Sequence, residues 1–259
     1  MGAVMSYIGD SLARFLSKPT ADYKTFSALS KEELQANLQP GDLLLVEGNS
    51  RISSAIKYLT QSTWSHVCIF IGERDGLQPI LEADLVEGVI TVPLDKYDGF
   101  NLRICRAVNL SNEDKEKLLS YVIERLGHQY DTKNIFDLMR YMLPTPPIPQ
   151  RFRRRMLAFG SGDPTKAICS TLVAQAFHSI RYPILPLTID EYESDELEGQ
   201  GVTVKRRKHP VNQDELMLAR RHFSHFTPRD FDLSPYFEVI KPTVTAGFNY
   251  KDIQWSDEE

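Results

Sequence analysis

Three residues of this sequence could carry out acyl chemistry together, and each sits where its type needs an explanation. Cys169 stands where a polar loop gives way to the helical run Leu172, Val173, Ala176, Phe177 and Ile180. A thiol at a helix start faces unpaired backbone amides and the positive end of the helix dipole, both of which favour the thiolate. A small buried side chain with no chemistry fits the same position equally well. His66 lies in Trp64-Ser-His-Val-Cys-Ile-Phe-Ile71, a run with strand character. Alternation puts His66, Cys68 and Phe70 on one face and Val67, Ile69 and Ile71 on the other. An imidazole there is either a core histidine satisfied by a carbonyl or a general base for a thiol. Glu82, in Ile80-Leu-Glu-Ala83, is a carboxylate in an equally apolar setting and could fix the histidine tautomer. Each residue alone has a plain structural reading. Together they supply nucleophile, base and orienting acid.

The remaining candidates are weaker. His66 and Cys68 share a strand face, but no third or fourth ligand has suitable spacing, so no metal site and no cofactor is expected. A residue two along the strand also extends parallel to the histidine rather than across from it, which disfavours Cys68 as nucleophile. Cys68 and Cys105 read as small core residues. The three cysteines are an odd number without CxxC spacing, which argues against a disulfide framework or zinc ribbon. Asn49 and Arg51 could line a cleft, although a helix cap and a solvated arginine explain them as well.

Positioning these residues requires a sheet and helices. Ser30 and Glu33 form a capping-box pattern for a short helix through Leu38, and Pro40-Gly41 turns into the buried-strand run Asp42 to Val46. Ile52, Ala55, Ile56 and Leu59 have helical spacing. Strands are predicted over Ser65 to Gly72, Pro79 to Asp84, Gly88 to Pro93 and Phe100 to Val108. Their short connections favour an antiparallel or mixed sheet over βαβ winding, giving an α+β fold. Ser111 caps a helix with Leu118, Leu119, Val122, Ile123 and Leu126 on one face, ended by Gly127. A further helix is expected at about Thr132 to Met142. Thr227-Pro-Arg-Asp reads as a capped turn before a closing strand, Tyr236 to Ile240.

The expected organisation is a helical extension over 1–38 and a catalytic domain over 39–243. Insertions fall at about 143–165 and 186–226, and a tail occupies 244–259. In the first insertion Arg151, Arg153, Arg154 and Arg155 surround Phe152. The second holds six acidic residues from Asp190 to Glu198, then Lys205 to Lys208, all basic. The 259 residues, 42% apolar and 25% charged, exclude disorder, collagen and coiled coil as whole-chain descriptions. A net charge of −5 offers no footprint for nucleic acid. No run approaches the roughly 20 apolar residues of a membrane span, and a cytoplasmic location is expected. Residues 1–18 carry an apolar stripe, Val4, Met5, Ile8, Leu12, Phe15 and Leu16. With the arginine cluster, that stripe allows peripheral membrane contact or docking on the chain's own domain. Gly2 and Ser6 match a myristoylation pattern, read here as coincidence.

The order of motifs resembles the permuted papain-like cysteine hydrolases of the NlpC superfamily, in particular the YiiX-like branch, related to lecithin:retinol acyltransferase. The matching text is Pro40-Gly-Asp-Leu-Leu-Leu-Val, Trp64-Ser-His-Val-Cys-Ile-Phe-Ile-Gly72, Leu81-Glu-Ala, Gly127-His-Gln-Tyr-Asp131, Ile168-Cys-Ser-Thr-Leu-Val and Thr227-Pro-Arg-Asp-Phe-Asp-Leu-Ser-Pro. It covers most of residues 40–240. The resemblance implies a circularly permuted papain-like fold with His66 as base, Glu82 as orienting acid and Cys169 as nucleophile. It also implies Tyr130 as a substrate or oxyanion contact. The expected activity is hydrolysis or acyl transfer at an amide, ester or thioester through an acyl-enzyme. The permuted branch and the apolar residues of the first insertion point to a hydrophobic, lipid-like substrate. The competing expectation is a non-catalytic lipid-binding or peripheral membrane protein, which would have no use for the Cys, His and Glu set.

Overall fold

The turn at Pro40-Gly41 starts the sheet, and its details show why the chain enters there. In the computed structural model, which describes residues 15, 17–19, 31–129, 168–185, 187–188, 218–219 and 223–242, Gly41 takes a φ of 95°, open to glycine and costly for other residues. Its amide donates to the Phe70 carbonyl at 2.8 Å, and the Phe70 amide to the Asp42 carbonyl at 2.8 Å. Asp42, 2% exposed, accepts from the Arg106 guanidinium through both carboxylate oxygens at 2.8 and 2.7 Å. A buried carboxylate persists where a charged partner and further hydrogen bonds satisfy it, and here the Gln39 amide adds one at 2.8 Å.

That turn joins α1 (Lys31–Asn37) to β1 (Leu43–Glu47), and the chain continues through α2 (Arg51–Thr60), β2 (His66–Phe70), β3 (Ile80–Asp84) and β4 (Gly88–Val92). A short 3-10 helix (Leu94–Tyr97), β5 (Asn101–Ala107) and α3 (Asn112–Ile123) follow. Beyond residue 167 come α4 (Ile168–Ser179), the two-residue strands β6 (Leu187–Thr188) and β7 (Leu218–Ala219), a 3-10 turn (Phe223–His225), α5 (Pro228–Leu233) and β8 (Phe237–Ile240). Six strands form one sheet in the order β4-β3-β2-β1-β5-β8, every neighbouring pair antiparallel. The fold is α+β, as the short inter-strand connections implied.

The two faces of the sheet bury different partners. Val67, Ile69, Leu81 and Ala83 pack with Leu118, Leu119 and Val122 of α3 and Leu172, Val173, Ala176 and Phe177 of α4. Leu44, Val46, Cys68, Ile80 and Ile104 turn to the other side, where α1 contributes Leu34 and the 3-10 helix Leu94 and Tyr97. The period-2 alternation of the β2 sequence thus separates two cores.

Local chemistry explains two departures from the sequence reading. The α3 helix ends after Ile123 with Glu124 as its C-cap, short of Gly127. Gly127 instead donates its amide to the Val89 carbonyl at 2.9 Å, and Val89 donates to the His128 carbonyl at 3.0 Å, so this segment covers the open edge of β4. A Cβ on Gly88 would sit 2.3 Å from that His128 carbonyl oxygen, so only glycine admits the close approach. At α2 the cap is Ser50 rather than Asn49, its hydroxyl accepting from the Ser53 amide at 3.2 Å. Thr227 and Asp230 form the capping box that opens α5. The stripe through residue 14, the helix at 132–142, the arginine cluster, the acidic-to-basic stretch and the tail lie outside the described residues. Among the described residues no helix is long and apolar enough to cross a membrane.

Candidate active site

His66 opens β2 directly opposite Val46 of β1. The residue before it is fixed by the loop that leaves β1: the Gly48 amide donates to Ser65 Oγ at 2.9 Å and the Ser65 amide to the Val46 carbonyl at 3.1 Å. A Cβ on Gly48 would lie 2.2 Å from Ser53 Oγ and 2.8 Å from Ser65 Oγ. Glycine is therefore what lets the loop close against the strand end that carries the imidazole.

Glu82 follows Leu81, which faces Ile69 across the β2–β3 ladder, so its side chain falls on the Cys68 side of the sheet. Its Oε2 lies 3.0 Å from His66 Nε2. The same oxygen accepts from the Tyr97 hydroxyl, and Oε1 accepts from the Lys96 ammonium. At 3% exposure an ionised carboxylate needs such a set of donors. Burial pushes Glu82 upward, but the hydrogen bond and charge of His66, then those of Lys96, bring its pKa down to about 2.

Cys169 reaches the imidazole from the start of α4, whose Ser170 hydroxyl donates to the Phe226 carbonyl at 2.8 Å and anchors the first turn. The sulfur is hydrogen-bonded to the His66 ring and to the backbone amides of Val67 and Ser170. Glu82 holds Nε2, which leaves Nδ1 for the sulfur. Burial opposes ionisation of Cys169, yet the charge of His66, its hydrogen bond and the two amides outweigh it, and the thiol lies below its ordinary value. Burial likewise works to lower His66, while the charge and hydrogen bond of Cys169, then those of Glu82, raise it to about 10. Each charge supports the other, so the arrangement favours a thiolate–imidazolium pair over the neutral thiol and imidazole.

The structure therefore brings Cys169, His66 and Glu82 into one hydrogen-bonded line. Tyr130 lies outside the described residues. Cys68 and Cys105 are fully buried; burial and the charge of Glu82 hold the Cys68 thiol well above its ordinary value, and burial pushes Cys105 up to about 12. Arg51 lies at the start of α2 with its guanidinium 4.0 Å from the Phe15 ring centroid. Among the described residues no group of three or more His, Cys, Asp or Glu is arranged to hold a metal ion.

Sequence reasoning missed Lys96 and Tyr97. They sit in Leu94-Asp-Lys-Tyr97, which reads as a polar connection between strands. The one available signal was Pro93 followed by Leu94 and Tyr97, an apolar pair three apart that marks a single helical turn docking on a core. Both of these side chains are indeed buried.

Residues 37–141 match the family model of the permuted papain-like amidase enzyme, YaeF/YiiX, C92 family. That span includes His66, Glu82, Lys96 and Tyr97 and ends before Cys169. The probable lipoprotein peptidase YaeF of Escherichia coli (strain K12) is 26% identical over 177 residues, covering 62% of this chain and 63% of the relative. The chain thus spans less than two thirds of that relative's length. The crystal structure of the metalloprotein yiiX from Escherichia coli O157:H7 aligns with 78% of this chain and 96% of its own at 18% identity, with a TM-score of 0.45.

Proposed function

From the match of residues 37–141 to the permuted papain-like amidases and the similarity to YaeF, we propose that this chain is a YiiX-like cysteine hydrolase acting on an amide or related acyl bond through a Cys169 acyl-enzyme. The observation that carries this reading is the continuous line from the Cys169 sulfur through the His66 ring to Glu82, with the thiol lowered despite burial. The thiolate adds to the carbonyl carbon, and the carbonyl π electrons move to oxygen. As the tetrahedral adduct collapses, the C–N or C–O bond breaks and the His66 imidazolium gives its proton to the leaving group. The neutral His66 then removes a proton from water, which attacks the thioester and returns the thiolate. The Cys169 backbone amide, in the first turn of α4, is the proposed oxyanion donor, with Tyr130 a second contact. Glu82 keeps the imidazole oriented and favours its charged form throughout.

The reading extends to a hydrophobic acyl group, supported by the apolar residues beside the arginine cluster and by a relative described as a probable lipoprotein peptidase. Acyl transfer differs only in the second acceptor. p-Nitrophenyl esters of increasing acyl length test both parts at once. A burst of nitrophenol with an acyl adduct on Cys169, lost in Cys169→Ser, is the expected result, and its absence removes the acyl-enzyme. A rate that rises with chain length supports the hydrophobic substrate, and a flat series excludes it. Added hydroxylamine that raises turnover marks a site open to acceptors other than water.

A further inference from the structure

Glu82 receives three donors from two elements, and only one of them is the histidine it serves. From β2 comes His66, and from the 3-10 helix come the Lys96 ammonium and the Tyr97 hydroxyl; the buried Cys68 thiol lies near the carboxylate without donating to it. Lys96 also lies over the Tyr97 ring, 5.9 Å from its centroid. On the outer side of the same helix Asp95 pairs with Lys31 of α1 at 4.0 Å, so the surface carboxylate has its own cation. Tyr97 is buried and packs edge-on against Phe100, whereas the Lys96 side chain is 40% exposed.

We propose that Lys96 and Tyr97 are positioning residues of this active site, clamping Glu82 as a carboxylate from the sheet face opposite the nucleophile so that it holds His66 charged beside Cys169. The proposal rests on the cysteine-hydrolase reading and adds to it the device that sets the acid limit of the thiolate. The carboxylate needs a cation other than His66. Without one, each proton that reaches the buried Glu82 removes the anion facing the imidazolium, and the imidazolium in turn supports the thiolate less. Lys96 supplies that cation without touching the imidazole, since it binds the other carboxylate oxygen. Tyr97 stays a neutral donor, because burial and then the nearby Cys68 and Glu82 raise its phenol well above the ordinary value.

The test is the pH dependence of Cys169 alkylation by iodoacetamide on the full chain, read by mass spectrometry at that residue. It needs no substrate. In the wild type, alkylation should persist to a pH below the ordinary thiol range. Lys96→Met should move the acid limb up by about one pH unit, as expected for loss of a charged partner to a buried carboxylate. Lys96→Arg should restore it, and Tyr97→Phe should move it less, in the same direction. A merely structural lysine would lower the melting temperature and leave the limb in place. An unshifted limb in Lys96→Met, or one that Lys96→Arg does not restore, overturns the clamp while leaving the cysteine-hydrolase reading intact. A wild type whose Cys169 alkylates only in the ordinary thiol range overturns both. Should Lys96→Met fail to fold, Lys96→Gln carries the same comparison.

Discussion

Cys169 and Cys68 are both buried at the same His66–Glu82 pair, one at each end, yet the fold drives them in opposite directions. Cys169 sits on the α3–α4 side of the sheet and Cys68 on the α1 side, in separate apolar clusters. Burial raises both thiols. What differs is which end of the His66–Glu82 pair each sulfur meets. Cys169 meets the imidazolium and two backbone amides, the second of them in the first turn of a helix, where donors are spare. Cys68 meets the carboxylate, its thiol donating to the Leu44 carbonyl at 3.5 Å, and a hydrogen bond with Tyr97 does not offset burial and the Glu82 charge. A reactive thiol is thus made by placing positive partners around a sulfur, and a thiol kept inert by placing the anion there instead.

Removing the sulfur on the reactive side should have the largest effect. Cys169→Ala should abolish labelling by iodoacetamide at neutral pH and acyl transfer from nitrophenyl esters, a loss of at least ~10³-fold in rate. Persistent labelling at Cys68 or Cys105 at comparable rate would break the contrast. His66→Ala comes next. With the imidazolium gone, burial of Cys169 is unopposed by charge and its pKa should rise, so neutral-pH alkylation should fall by about 10²-fold. An unchanged rate would mean that the helix start alone activates the sulfur.

Glu82→Gln should cost less, roughly 10- to 100-fold in turnover, because the imidazolium keeps the Cys169 thiolate as its first counter-charge and loses only the second, orienting anion. Its sharper signature is a titration. His66 is held at about 10, first by Cys169 and then by Glu82. Raised above its ordinary value of ~6.5, its proton supports the ion pair below that folded value and is lost as pH rises through it. Removing the Glu82 charge should therefore bring the alkaline limit down, seen as a lower His66 pKa by imidazole NMR.

How far this contrast could be read from the sequence depended on whether periodicity carried it. Alternation along Trp64 to Ile71 separated the two faces and put His66 and Cys68 together. The helical run after Cys169 marked it as a helix start, and the short strand connections gave the antiparallel sheet. Periodicity does not show how His66, the first residue of its strand, meets a carboxylate on its own face and a sulfur arriving from the other at the end of the sheet. That is a property of strand ends, where a ring is not enclosed by ladder neighbours on both sides. Nor does it show Lys96 and Tyr97, since a single turn has too few residues to display a pattern. Gly127 follows an apolar stripe, where a glycine usually ends a helix, but here tertiary pairing with Val89 decides its conformation.

The smallest expected effect isolates the inert side of the comparison. Cys68→Ala removes one buried sulfur from the α1-side cluster and should cost about 1 kcal/mol as a small cavity, a fall of roughly 2–4 °C in melting temperature for a domain of this size. It should leave the rate of Cys169 alkylation unchanged, because the sulfur that Cys68 contributes is protonated and touches neither Nδ1 nor the α4 amides. Cys68→Asp tests the same site by charge. A second carboxylate beside Glu82 would compete for Lys96 and Tyr97 and raise the acid limb of Cys169, so a limb that moves in Cys68→Asp and not in Cys68→Ala assigns the effect to charge. If Cys68→Ala itself slows Cys169 alkylation, the two sides of the sheet are coupled through packing as well as through the His66–Glu82 pair, and the opposition between the two thiols is not purely electrostatic.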